Sequence, residues 1–301
     1  MTLKLCDGRV AIITGAGRGV GRAYALMLAQ HGAKVIVNDL GSSADGRGSD
    51  ASPGQEVVAT INNAGGEAVL NTADVTDTKA VEAMVRQAVD TFGRLDIVIN
   101  NAGILRDKLL INTSEDDWDT VVRVHLKGTF LPMYHAGNYW RLQTKAGQAV
   151  DARVINATSH SGLFGNVGQA NYAAAKAGIA GMSIVAAREF QRLGATVNAI
   201  APRAHTRLTE GVAQWTPEQL ERRDPIWTAA LVTWLASTES KGISGRVFET
   251  WGYGYTVAEG WQHGAHTEAS KDPTVLGPAI RDIVARSRKN AGIEWDTWMD
   301  P

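Results

Sequence analysis

The stretch Val10-Ala-Ile-Ile-Thr14-Gly-Ala-Gly-Arg18-Gly-Val-Gly21 decides how the rest of the chain is read. A β-branched run ends in a glycine-rich turn, which leads into Arg22–His31, a segment of helical period. Gly15, Gly19 and Gly21 permit backbone dihedrals closed to other residues and let N–H groups approach an anion closely. A strand, a glycine turn and a helix N-terminus in that order form a cradle for a pyrophosphate, with Arg18 and Val20 set between the glycines. Taken alone, the same string also suits a tight turn that holds no ligand.

Further short β-branched runs fall at Val35–Val37, Ile97–Ile99, Val154–Ile155 and Val197–Ile200, with amphipathic stretches between most of them. This alternation predicts an α/β fold: a single Rossmann-type, doubly wound parallel sheet with helices on both faces. At 301 residues the chain suits one domain, with a core over about 8–250 and a C-terminal extension over 251–301. That extension contains a predicted helix, Pro278–Ser287, and a tail with Trp295 and Trp298. Gly41–Gly54, rich in glycine, serine and aspartate, predicts a long surface loop.

With 30 basic and 31 acidic residues, the chain has no long-range field to concentrate nucleic acid or anionic membrane. A small-molecule substrate and further copies of the chain, as a homo-oligomer, are the expected partners. The lone Cys6 cannot form an intramolecular disulfide and suits a reducing, cytoplasmic setting. No apolar run reaches bilayer-spanning length, and the first residues lack the pattern of a signal peptide. His205, His263 and His266 lack the spacing of a metal site, so no metal is expected.

Eighteen residues past Gly21, the second run ends in Asp39. A carboxylate there accepts hydrogen bonds from both adenosine-ribose hydroxyls and repels a 2′-phosphate, which favours NAD over NADP. Arg18 and Arg47 are the cations that would work against that preference. Asp74-Val75 follows a predicted third strand, between the Val35–Val37 and Ile97–Ile99 runs, and suits either an adenine contact or a cap for the helix Lys79–Thr91. Asn100-Asn101-Ala102-Gly103 closes the fourth strand, that of Ile97–Ile99, with Asn101 placed to tie neighbouring strands together.

Ser159 follows the Val154–Ile155 run, and Tyr172 and Lys176 stand four apart on a helix, where they share a face. An ammonium beside a phenol stabilises the phenolate and draws its pKa down from about 10, toward the range of efficient proton transfer. Ser159 would orient a substrate oxygen, with His160 and Ser161 as competitors for that contact, and Tyr172 would act as base. Both Tyr172 and Lys176 count among the cofactor-binding residues, the lysine through the nicotinamide ribose.

Together the glycine turn, Asn100-Asn-Ala-Gly103, Ser159 and Tyr172-x3-Lys176 resemble the short-chain dehydrogenase/reductase family over roughly residues 8 to 250. Val37-Asn-Asp-Leu-Gly41, Asn100 to Asp107, Val124 to Phe130 and Gly165 to Tyr172 are similar, more narrowly, to the (3R)-hydroxyacyl-CoA dehydrogenase portion of the peroxisomal multifunctional enzyme of β-oxidation and its stand-alone bacterial relatives. The resemblance implies NAD-linked oxidation of a 3-hydroxyacyl-CoA, with long-chain, branched or sterol-derived acyl groups as candidates. Hydroxysteroid oxidation, 3-oxoacyl thioester reduction and a non-catalytic NAD sensor stay open as alternatives. It also implies that Pro202 and Thr206 lie near the nicotinamide carboxamide. His125 stands where the wider family places an asparagine that holds a relay water, so it either passes protons at about pH 6.5 or packs in a helix. Arg203 replaces a small residue of the family pattern. On the substrate side, Leu163, Phe164 and Val167 suit an apolar wall, and Arg207, Arg222 and Arg223 suit CoA phosphates or solvent.

Overall fold

The computed structural model describes residues 4–206, 215–274 and 276–293. Arg207, Trp295 and Trp298 lie outside the described residues. The chain divides into two compact units, Met1–Ala258 and Glu259–Pro301.

In the first unit every β-branched run becomes a strand. With three further strands, the set is β1 (Val10–Thr14), β2 (Lys34–Asn38), β3 (Glu67–Asn71), β4 (Ile97–Asn100), β5 (Ala152–Ala157), β6 (Ala195–Pro202), β7 (Val247–Trp251) and β8 (Gly254–Ala258). They form one sheet in the order β3-β2-β1-β4-β5-β6-β7-β8, parallel throughout except for β8. Strands β1, β4 and β5 are buried at every position because helices cover both faces, which is why they read as unbroken apolar runs. Successive residues of β1 enter opposite cores: Ala11 and Ile13 pack with Tyr24 and Leu28, whereas Val10 and Ile12 pack with Met84 and Trp140.

The helices of this unit are α1 (Gly19–Gln30), α2 (Ser52–Asn63), α3 (Thr78–Phe92), α4 (Glu115–Val122), α5 (Gly128–Lys145), α6 (His160–Phe164), α7 (Ala170–Phe190), α8 (Pro217–Glu221) and α9 (Pro225–Ala236). Helix α1 starts inside the glycine turn, at Gly19. Asp77, not Asp74, caps α3, accepting from the N–H groups of Lys79 and Ala80. Helix α2 begins within the expected loop because Pro53 preorganises its first turn. Residues 251–258, read from sequence as the start of the extension, first turn back as β8 and cover the edge of β7. In the second unit, α10 (Leu276–Arg286) is the only described helix. No described helix is long and apolar enough to cross a membrane.

The amino edge of the sheet holds a buried ionic knot. Arg153, 1% exposed, donates from Nε to the Ser237 carbonyl (3.0 Å) and Ser240 Oγ (3.1 Å), and from Nη1 to Asp151 (2.7 Å). Arg9 reaches the same aspartate at 3.3 Å, and the Val10 N–H donates to Asp96 at 2.9 Å. Cys6 is buried nearby, and burial pushes its thiol up to about 11, which makes it chemically inert. Removing one partner of such a pair strands the other, so Arg153→Ala is expected to cost about 3 to 5 kcal/mol by urea denaturation. The dinucleotide affinity of the folded fraction should not change, since the glycine turn opens at the opposite edge; wild-type stability would contradict this account.

Candidate active site

At the carboxyl edge, β1 and β4 lie side by side while their connections run to opposite halves of the sheet, which leaves a crevice between their ends. Asn101 holds that crevice together. Its N–H donates to Thr14 Oγ1 at 3.0 Å, and its side-chain amide donates to the carbonyls of Thr14 and Gly15 at 3.1 Å each. The strand tie expected of Asn101 is therefore made.

The glycines of the turn are required by contact. A Cβ at Gly21 would lie 2.1 Å from the Gly15 carbonyl oxygen, and one at Gly15, whose φ is +65°, would lie 2.8 Å from Ala102 Cα. Arg18, the N-cap of α1, offers no side-chain cap to the first turn, and no acidic residue stands there. The free N–H groups and positive end of α1 thus face the cavity, as an anion site needs.

Gly15, Arg18, Gly19, Val20, Asp39, Asp74, Val75, Asn101, Ala102, Gly103 and Thr206 all line this cavity. Asp39 ends beside the turn, and its two oxygens accept from the N–H groups of Gly17 (2.6 Å) and Gly41 (2.7 Å). Gly17 is glycine for that reason: a Cβ there would sit 2.8 Å from the carboxylate. Asp74 accepts from the Thr76 N–H at 2.8 Å, a local turn at the cavity wall. Arg18 is drawn toward Asp50 at 3.8 Å, and Arg47 toward Asp45 at 3.4 Å.

Sequence reasoning missed the role of the Gly41–Gly54 loop, of which Ser42, Ser43 and Gly46 also line the cavity. The loop is fastened to the segment after β4 by Leu105 N–H to the Ala44 carbonyl (2.9 Å) and Arg106 Nε to the Asp45 carbonyl (3.0 Å). Its composition announces a loop but not what the loop leans on. Arg123 and Thr120 were missed too, since helical residues facing a ligand look like any polar face.

Ser159, Tyr172, Lys176 and Pro202 do not line the cavity, but the first three are gathered just beyond it. His125 joins the two regions. It lies on a π-helical turn, Arg123–Lys127, which aims its buried ring inward. Nε2 sits 3.1 Å from the Ile104 nitrogen and 2.7 Å from the Ile104 oxygen, and the ring meets Tyr172 edge-on at 5.1 Å. A Cβ at Gly103 would lie 2.2 Å from His125 Cε1, so the Asn-Ala-Gly turn and this ring are built around each other. Burial and the charge on Lys176 push His125 down to about 3, so it is neutral at pH 6.5 and does not exchange protons there as an imidazolium.

Tyr172 and Lys176 share one face of α7, with the ammonium 5.6 Å from the ring centroid. Lys176 donates to the Ala157 carbonyl at 2.6 Å, and Thr158 Oγ1 donates to the Lys176 carbonyl at 2.7 Å. Ser159 caps α6, accepting from the Ser161 N–H at 3.2 Å, and stands near enough to the phenol to favour its ionised form. The phenol itself departs from expectation. Burial pushes Tyr172 up, a nearby Asp107 adds to this, and only the Ser159 hydrogen bond opposes them. Lys176 does not bring it down, because burial pushes the lysine down to about 7 and spends its charge on a backbone carbonyl.

Pro202 ends β6 opposite Thr250. Leu163 packs into the core beside Ala180, Phe164 lies against His160, and Val167 is 87% exposed, so the three form no common wall. Arg222 donates to the Gly252 carbonyl at 3.0 Å and lies over Tyr253, while Arg223 stacks on Trp215 at 3.7 Å.

The sequence pattern of the short chain dehydrogenases matches residues 9–219. Hydroxyacyl-CoA dehydrogenase ChsB1 of Mycobacterium tuberculosis is 41% identical, the match covering 93% of this chain and 89% of that protein. Peroxisomal multifunctional enzyme type 2 of Mus musculus is 43% identical over 92% of this chain, which spans only 36% of that longer protein. A crystal structure of a short chain dehydrogenase from Mycobacterium avium superposes with a TM-score of 0.87 at 46% identity, covering 97% of this chain and 99% of that one. Agreement of this extent, over a crevice whose glycines, aspartate and strand ties suit a nicotinamide dinucleotide, makes the chain a member of the short-chain dehydrogenase/reductase family, an oxidoreductase of small molecules.

Proposed function

We propose that the chain oxidises a 3-hydroxyacyl-CoA thioester to the 3-ketoacyl-CoA with NAD, using Tyr172 as the general base. The observation that carries this is the grouping of Ser159, Tyr172 and Lys176 beyond the far wall of the crevice that Asp39 closes. The name of the mycobacterial relative, which this chain matches over most of its length, supports the choice of substrate. When bound, the oxidised dinucleotide supplies the hydride acceptor. Lys176 and Tyr172 would hold its nicotinamide end, with Pro202 and Thr206 toward the carboxamide, and α1 with the glycine turn would receive the pyrophosphate. Ser159 orients the substrate hydroxyl, and Tyr172 Oη takes its proton as the C3 hydride departs. His125 is a positioning residue: a neutral ring that fixes the phenol and the Gly103-Ile104 backbone relative to each other.

NAD is favoured because the Asp39 carboxylate, already seated on two backbone N–H groups, stands where a 2′-phosphate would need room and a cation. Asp74 and Val75 belong to the adenine end. The chain also works as a homo-oligomer in this proposal. Phe130, Tyr134 and Leu142 recur on one face of α5, and Ile184 and Val185 lie on α7; all are exposed apolar groups, and Phe130 rims a groove with Leu126, Gly178 and Met182.

Tyr172→Phe should lower kcat for 3-hydroxyacyl-CoA oxidation by about a hundredfold or more while NADH still binds, as followed by fluorescence titration. A retained rate would remove Tyr172 from the mechanism. Oxidation needs the phenolate, which exists above the raised pKa of Tyr172, so kcat/KM is expected to climb from neutral to alkaline pH. A profile that falls over that interval would contradict the assignment. Asp39→Ala should narrow the NAD to NADP ratio of kcat/KM by about tenfold, equal to about 1.4 kcal/mol; an unchanged ratio would show that the carboxylate does not choose the cofactor.

A further inference from the structure

The loop after β4 and the loop after β5 meet in a short seam at the mouth of the active site. Lys108 pairs with Gln169 as a parallel bridge, and its N–H donates to the Gly168 carbonyl at 2.8 Å. A line of side-chain hydrogen bonds runs through this seam. Gln169 Nε2 donates to Asp107 Oδ2 at 2.7 Å, and Gln169 Oε1 accepts from Ser161 Oγ at 2.7 Å and from Asn166 Nδ2 at 2.9 Å. The Ser161 N–H donates to Ser159 Oγ at 3.2 Å, which brings the line up to the Tyr172 phenol that Ser159 acts on.

We propose that Gln169 and Asp107 are positioning residues for the reaction: Asp107 locks the Gln169 amide and sets a negative charge toward the phenol, and Gln169 orients Ser159 through Ser161. This rests on the assignment of Tyr172 as the base.

The chemistry of each group gives the line its direction. A carboxylate only accepts, so Asp107 fixes which end of the Gln169 amide faces it. The Oε1 end must then face Ser161 and hold its hydroxyl, which settles the first turn of α6. From that turn the Ser161 N–H occupies a lone pair of Ser159 Oγ, and the serine keeps its own hydrogen for the phenol or the substrate oxygen. The groups that act on the phenol are few. Lys176 is the cation, 5.6 Å from the ring; His125 is a neutral edge; Ser159 is a hydrogen-bond partner; Asp107 is the anion. Burial also raises the carboxyl of Asp107 itself, while the Gln169 hydrogen bond holds it down. The negative charge therefore opposes ionisation of the base during oxidation and favours the phenol as acid in the reverse direction.

Two measurements test this. Tyrosinate ultraviolet absorbance is titrated for each variant against the same variant carrying Tyr172→Phe, which isolates the one phenol and needs no turnover. Asp107→Asn, which keeps the shape and removes the charge, should move that ionisation to lower pH, and the rising limb of the oxidation profile should move with it. Ser161→Ala and Gln169→Ala should each lower kcat by about tenfold with KM for NAD unchanged, as expected for lost orientation, and Ser161→Thr should restore most of the rate. A wild-type titration midpoint in Asp107→Asn, or wild-type kcat in both alanine variants, overturns the inference. Should the protein turn over no 3-hydroxyacyl-CoA at all, the substrate assignment fails, and the absorbance titration still decides the role of Asp107.

Discussion

A single ammonium buried at the end of the central sheet determines where the chemistry stands. Lys176 donates to the carbonyl of Ala157, the last residue of β5, while Thr158 returns a bond to the Lys176 carbonyl, so α7 is bolted to the strand it follows. Ser159 comes next after that strand, and Tyr172 lies one helical turn before the lysine. Their separation is thus set by two short hydrogen bonds rather than by the twelve residues between them. A cation 4% exposed is costly to keep, and the same burial that makes the bolt rigid lowers the lysine to about 7. Rigidity and charge are traded against each other at one atom.

That trade extends to the phenol. In a dry pocket each ionised form is penalised, so the lysine moves down and the tyrosine up until a negative and a positive group are both unfavourable unless something pairs with them. Neutral His125 adds packing without adding charge, which leaves Ser159 and Asp107 to bias the balance in opposite directions.

Much of this architecture is legible in the chain itself. Glycine spacing, β-branched runs and a tyrosine four residues before a lysine are local signals, and the structure turns them into a cradle, a parallel sheet and a shared helix face. Asn101 was readable as a strand tie because short amides after strands have few other uses. The expected depression of the phenol was not met, because it depends on desolvation, and desolvation is a property of everything packed around Tyr172. The Gly41–Gly54 loop and the π-helical turn at His125 were illegible for a related reason: what each contributes is defined by residues more than twenty positions away, Ile104 in one case and Leu105 and Arg106 in the other. The apolar trio at 163–167 failed as a wall because Leu163 and Phe164 end α6 on neighbouring positions that face different partners, while Val167 lies past the helix in solvent.

The division of labour between the two edges of the sheet follows from the same physics. At the amino edge, Arg9 and Arg153 share Asp151 and donate to backbone carbonyls, while Asp96 accepts from Arg94 and from the Val10 N–H. At the carboxyl edge, helix α1 has an uncapped first turn, and Asp39 uses backbone donors. Backbone N–H groups cannot move away or change charge, so a carboxylate anchored on them keeps its place whether or not ribose hydroxyls join it. Open valences are tolerable where water or a dinucleotide can reach them and costly where neither can. The strand tie at Thr14 and Asn101 keeps that open edge from collapsing into the closed one, because it holds β1 and β4 at a fixed spacing where their connections part.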